Sequence, residues 1–124
     1  MAAKKILVVD DSKTALLMER SILEQSTPYQ CVTAMNGAEA LVKAREEQPD
    51  LILMDVVMPR MNGFEACKKL REQAATRQIP IILVTTRGEE SYTEAGFQSG
   101  CNDYITKPIN SLELVELLRS YLGE

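Results

Sequence analysis

Five side chains able to work together chemically stand at the ends of short apolar runs: Asp10, Asp11, Asp55, Thr85 and Lys107. Asp10 and Asp11 close the run Ile6-Leu7-Val8-Val9, and Asp55 closes Leu51-Ile52-Leu53-Met54. Thr85 closes Ile81-Ile82-Leu83-Val84, and Lys107 follows Tyr104-Ile105-Thr106. If these runs are parallel strands of one sheet, their carboxyl ends share an edge. Three carboxylates, a hydroxyl and an ammonium then converge. Carboxylate oxygens are hard ligands that suit a divalent cation. An ammonium and a hydroxyl beside them suit the oxygens of a phosphoryl group.

The elements that must position these groups follow a strand-helix rhythm. Strands are expected at 5–9, about 30–34, 51–55, 80–85 and 102–106. Ser12 is the expected N-cap of a first helix, with Ala15, Leu16, Ile22 and Leu23 at helical spacing up to the break at Thr27-Pro28. Asn36-Gly37 reads as a turn before a short helix led by Ala38, Leu41, Val42 and Arg45, stopped near Pro49. A loop over Pro59 to Gly63 precedes a third helix marked by Phe64, Cys67, Leu70 and Arg71. A fourth, thinly apolar helix is expected around 89–98, with Gly88 and Gly96, Tyr92, Ala95 and Phe97. The fifth starts at Asn110-Ser111, with Leu112, Val115, Leu118 and Leu122 on one face and Glu113 and Glu116 outward. Runs apolar on both faces are what a parallel sheet covered on both sides requires. The second run alternates more and is expected at an edge. Right-handed crossovers then give a doubly wound α/β fold, with ligands beyond the strand carboxyl ends.

Composition bounds what the chain can do. Its 124 residues suit one domain spanning 1–124 with no separate effector domain, and the 45% hydrophobic and 26% charged fractions suit a soluble globular protein. A net charge of −4 argues against a nucleic-acid partner. The longest apolar runs fall far short of the roughly 18 residues a membrane span needs. The N-terminal pattern fits a buried strand better than a signal peptide, so the expected location is the cytoplasm. Cys31, Cys67 and Cys101 form no C-x-x-C pair and read as reduced thiols. Histidine is absent, which removes imidazole-based triads and histidine-rich zinc sites.

The fragments Val8-Val9-Asp10-Asp11-Ser12, Asp55-Val56-Val57-Met58-Pro59 with Gly63, Thr85, and Asp103-Tyr104-Ile105-Thr106-Lys107-Pro108 together resemble the receiver domain of bacterial response regulators, from about Lys4 to Leu122. The resemblance implies a flavodoxin-like five-stranded sheet of order 2-1-3-4-5 with five helices, and a cis Lys107-Pro108 peptide. It also implies a phosphoryl donor outside the chain: the phosphohistidine of a sensor histidine kinase or of a histidine phosphotransfer domain. Asp55 is the expected nucleophile, forming an acyl phosphate. Magnesium, with manganese as a substitute, is the expected cofactor. Its ligands would be Asp11, Asp55 and the backbone carbonyl of Val57, with Asp10 acting through a water. Lys107 would pair with Asp55 at rest and with a phosphoryl oxygen afterwards, while Thr85 donates to another.

The expected output is a shift of the loop Thr86-Arg87-Gly88 and an inward turn of Tyr104. These would remodel the face made by the fourth helix, fifth strand and fifth helix, toward a downstream protein target. The chain is then a monomeric, stand-alone switch in chemotaxis or motility control or in a phosphorelay, more than a turnover enzyme, with slow self-dephosphorylation. Val57 and Arg87, each two positions beyond a site residue, are expected to set the lifetime of the phosphoryl group. An apolar Val57 cannot orient an attacking water.

Three rivals share parts of this pattern. A flavodoxin-like electron carrier would place a phosphate-binding loop where Asp10-Asp11-Ser12-Lys13 puts negative charge, and would be yellow when isolated. A haloacid-dehalogenase-type phosphatase would carry a second acid at position 12, which is Ser12, and would turn over a phosphomonoester. A degenerate receiver used only as an interaction module would not respond to acetyl phosphate or beryllofluoride with magnesium.

Overall fold

The computed structural model describes residues 3–86 and 96–123. Strands β1 (Lys5–Val9), β2 (Gln30–Ala34), β3 (Leu51–Asp55), β4 (Ile81–Thr86) and β5 (Asp103–Lys107) form one parallel sheet of order β2-β1-β3-β4-β5. The helices are α1 (Lys13–Ser26), α2 (Gly37–Glu47), α3 (Gly63–Glu72), the helical residues 96–99 (α4) and α5 (Ser111–Leu122). Most of the fourth-helix expectation, with Gly88, Tyr92 and Ala95, lies outside the described residues, as does Arg87.

The sheet is covered on both sides, which is why its central runs are apolar at every position. Leu7, Val9, Ile52, Met54 and Leu83 pack with Ala40 and Ala44 of α2 and Ala66, Cys67 and Leu70 of α3. Ile6, Val8, Leu53, Val84 and Ile105 pack with Leu16 and Leu23 of α1 and Leu114 and Leu118 of α5. Alternate residues of one strand thus serve opposite layers. The two layers bury whole side chains, each contributing roughly 1.5–3 kcal/mol. β2 lies at an edge, as expected, with burial that rises from Gln30 to Ala34 rather than alternating.

Helix starts are fixed by polar caps. Ser12 accepts from Ala15 N–H at 3.2 Å, Asn62 and Glu65 form a capping box, and Asn110 accepts from Glu113 N–H at 3.0 Å. Asn36 does the same for α2, accepting from Glu39 N–H at 2.8 Å, so Asn36-Gly37 opens a helix rather than making a turn. Spacing leaves the inward face of α2 open, and the face of α5 differs from expectation. In α2 the inward residues are Gly37, Ala40 and Ala44, with Ala38 and Val42 exposed. In α5 they are Leu114, Val115 and Leu118, and Leu112 is exposed. The leucines of α5 occupy nearly every side, so spacing alone left its stripe ambiguous, and the sheet decides it. β4 and β5 each run one residue beyond their expected ends, which takes Lys107 into the ladder.

Candidate functional site at the carboxyl edge of the sheet

Each acid is placed by the strand that ends at it. The Asp10 N–H donates to Ala34 O at 3.1 Å, extending the β1–β2 ladder by one residue. Its Oδ1 accepts from Ser12 N–H at 2.9 Å, so the turn that caps α1 also locks this carboxylate. Asp10 is buried, whereas Asp11 is exposed. Asp55 is the last residue of β3 and is buried. Gly63 supports it from behind: a Cβ there would stand 2.5 Å from Asp55 O, so the start of α3 closes on the strand end because this residue has no side chain. The Gly63 N–H donates to Val56 O at 2.8 Å across the same contact.

Lys107 reaches in from β5. Its Nζ lies 3.3 Å from Asp10 Oδ2 and 3.5 Å from Asp55 Oδ1, so the ammonium is shared between two carboxylates rather than given to Asp55 alone. The Lys107-Pro108 peptide is cis. One carboxylate oxygen from each of Asp10, Asp11 and Asp55 lies within 4.8 Å of the others. Burial, then repulsion from Asp10, pushes Asp55 up to about 6 despite Lys107 beside it. Burial works against the charged form of Lys107, but Asp55 and Asp10 outweigh it and raise its proton affinity. One ammonium therefore does not neutralise the cluster, and the excess negative charge on three acids, two of them buried, is what a hard cation relieves. The donor set fits magnesium.

Thr85 lies buried on the same edge, in register with Thr106 of β5. Tyr104 is half-exposed, and its ring meets Phe97 edge-on with centroids 6.0 Å apart at 79°. The Val57 side chain is exposed. Two residues acquire significance that the sequence reading did not give them. Glu19 of α1 is 3% exposed, and burial followed by repulsion from Asp10 raises it to about 8. Its place between Leu16 and Leu23 was the available signal, since that spacing faces inward. Spacing marks Arg71 only as a position of α3, yet its guanidinium spans the opposite end of the sheet, donating to Gly100 O, Ile79 O and Asn102 Oδ1.

Residues 6–119 match the family model described as the response regulator receiver domain. The chain belongs to that family. It is 40% identical over 119 residues to the protein PilH of Pseudomonas aeruginosa, covering 96% of this chain and 98% of that protein. To the polar-differentiation response regulator DivK of Brucella anthropi it is 39% identical, covering 98% of each. Its fold matches the receiver domain of a Pseudomonas aeruginosa sensor histidine kinase with a TM-score of 0.90 and 30% identity, over 99% of this chain and 100% of that one. That structure holds a magnesium ion coordinated in its active-site cleft. Receivers are two-component signalling proteins rather than enzymes of turnover, and the sheet order expected from the resemblance is the order observed. Among the described residues no helix is long and apolar enough to cross a membrane.

Proposed function

We propose that this receiver is a phosphoacceptor switch in which Asp55 takes a phosphoryl group from the phosphohistidine of a sensor histidine kinase or histidine phosphotransfer domain. The observation that carries this reading is the position of Asp55: buried at the end of the central strand, clustered with Asp10 and Asp11 and 3.5 Å from the Lys107 ammonium. Asp11, Asp55 and the Val57 carbonyl would hold magnesium or manganese, with Asp10 acting through a water. Bound there, the metal supplies charge neutralisation and a template for the oxygens.

The residues of the chain divide the rest. Asp55 is raised to about 6, so above neutral pH it is largely the carboxylate that attack requires. The phosphorus–nitrogen bond of the donor breaks as a phosphorus–oxygen bond to Asp55 forms, and the leaving imidazole takes a proton from solvent. Lys107 moves from the carboxylates to a phosphoryl oxygen, and the Thr85 hydroxyl donates to another. Tyr104, half-exposed and propped on Phe97 at rest, then turns inward. The face of α4, β5 and α5 changes and is read by a protein target. Return to rest is hydrolysis of the acyl phosphate, slowed by Val57. The chain acts as a monomer in chemotaxis or motility control or in a relay.

Incubation with acetyl phosphate and magnesium tests this, read by phosphate-affinity electrophoresis. One slowly migrating species is expected in the wild type and none in Asp55→Asn. Phosphorylation that survives in Asp55→Asn sinks the assignment, and no response of the wild type to acetyl phosphate or beryllofluoride favours the interaction-module alternative.

A further inference from the structure

Glu19 of α1 is buried on the inward face between Leu16 and Leu23, and its Oε2 has no hydrogen-bond partner. A buried acceptor left unpaired is rare in a packed fold and calls for a physical reason. Lys107 presents the complementary case. Its ammonium carries three donors, and its contacts with Asp10 and Asp55 are 3.3 and 3.5 Å. Both exceed the roughly 2.7–2.9 Å of a strong charge-assisted hydrogen bond, so the ammonium is held loosely.

The unmade acceptor and the under-used donor share a space. Glu19 and Lys107 both line a cleft of about 400 Å³ between α1 and the segment after β5. The other lining residues, Ala15, Met18, Ile22, Pro108 and Ile109, offer apolar side chains. Among the described residues, Glu19 is therefore the side-chain acceptor that this cleft offers Lys107. The Lys107 side chain is 34% exposed, so packing does not fix it in its resting position. The two groups already feel each other, since Lys107 opposes the burial and the Asp10 repulsion that raise Glu19 to about 8. A carboxyl keeps an accepting oxygen with or without its proton, so Glu19 can receive the ammonium in either form.

We propose that Glu19 is a positioning residue for phosphoryl transfer: when a divalent cation occupies the acid cluster, the Lys107 ammonium moves to Glu19 Oε2 and stays there until a phosphoryl oxygen draws it back. The proposal rests on the reading that Asp10, Asp11 and Asp55 hold magnesium. A dication on those oxygens competes with the ammonium for them and repels it. With Lys107 on Glu19, Asp55 Oδ1 is free of its ammonium and can attack. Lys107 returns as negative charge arrives on the phosphoryl oxygens.

Nuclear Overhauser contacts in the uniformly labelled whole chain read the position of Lys107. Magnesium is expected to strengthen the contacts from the Lys107 ε-methylene to the Glu19 γ-methylene, and beryllofluoride to weaken them again. Magnesium affinity by calorimetry gives the second readout. Glu19→Leu, which removes the acceptor, should weaken it roughly tenfold, the loss of one hydrogen bond to a charged group. Glu19→Gln keeps an acceptor and the charge of the protonated acid, and should stay close to wild type. Lys107 contacts unmoved by magnesium, or equal magnesium affinity in the two variants, overturns the proposal and leaves the metal site standing. A wild type that binds no magnesium overturns the reading of the acid cluster and the proposal with it.

Discussion

The two ends of the sheet are built on opposite principles. At the amino end, polar groups are matched to partners. The Lys5 N–H donates to Asp50 Oδ2 at 2.8 Å, and Lys5 Nζ pairs with Glu47 at 2.9 Å. Arg71 donates to Gly100 O, Arg77 O, Ile79 O and Asn102 Oδ1, and Asn102 Oδ1 also accepts from Ile81 N–H at 2.8 Å. One guanidinium thereby ties the end of α3 to the starts of β4 and β5. At the carboxyl end, Asp10 and Asp55 share one ammonium, Asp11 stands beside them, and Glu19 is buried within their field. The same scaffold is satisfied where it must hold and left with excess negative charge where it must bind. Strain at a site is tolerated because the surrounding structure fixes it.

Asp55→Asn gives the sharpest break between the two ends. Phosphoryl acceptance should vanish, while the folded chain becomes more stable above pH 6, because the substitution removes a charge that burial and Asp10 disfavour. A melting temperature at pH 8 that falls below the wild type would contradict the claim that this end is held at a cost to stability.

Glu19→Gln tests the same claim away from the acceptor. The folded chain binds the Glu19 and Asp55 protons more tightly than an unfolded chain does. Stability therefore falls as pH rises from the ordinary carboxylate range through about 6 for Asp55 and about 8 for Glu19. Glu19→Gln should flatten the upper part of that decline and stabilise the protein by a few kcal/mol at pH 8, with much less gain at pH 5. Urea unfolding at the two pH values measures it. An equal gain at both would show that the proton is not the cause.

Arg71→Ala is the counterpart at the amino end. Several carbonyl acceptors and Asn102 lose their donor together, so a loss of about 2–3 kcal/mol is expected. Magnesium affinity, followed by NMR or calorimetry, should not change. A metal affinity that weakens in step with stability would mean that the two ends are not independent.

How much of this was legible in the sequence follows the same division. The strand ends carrying Asp10, Asp55 and Thr85 could be read because an apolar run closed by a polar residue is a local pattern. Ser12 and Asn110 could be read as caps for the same reason. Contacts between distant segments left weaker traces. Arg71 looked like one more helical position, and only the fold brings Gly100 and Asn102 to it. A charged Glu19 on α1 suggests solvent, although Leu16 and Leu23 place it inward. Leu112 was assigned inward on spacing, and the sheet selected Leu114 instead. Sequence periodicity names a helix more readily than it names the face, because the face is chosen by what lies across from it.

Val57 offers the smallest and most specific test of the carboxyl end. Its side chain is 58% exposed, two residues beyond Asp55, so it is a wall open to solvent rather than part of the core. Water can reach that wall, yet valine offers no hydrogen bond to hold a molecule in line with the acyl phosphate. An asparagine there would supply one. A single hydrogen bond is worth about 1 kcal/mol, which corresponds to roughly fivefold in rate. Val57→Asn should therefore shorten the phosphoryl lifetime by about that factor while leaving folding nearly untouched, since surface substitutions usually stay within about 0.5 kcal/mol. Decay of the phosphorylated species after removal of acetyl phosphate gives the rate. A lifetime that is unchanged or longer removes Val57 from the switch and leaves the acids and Lys107 to set its duration.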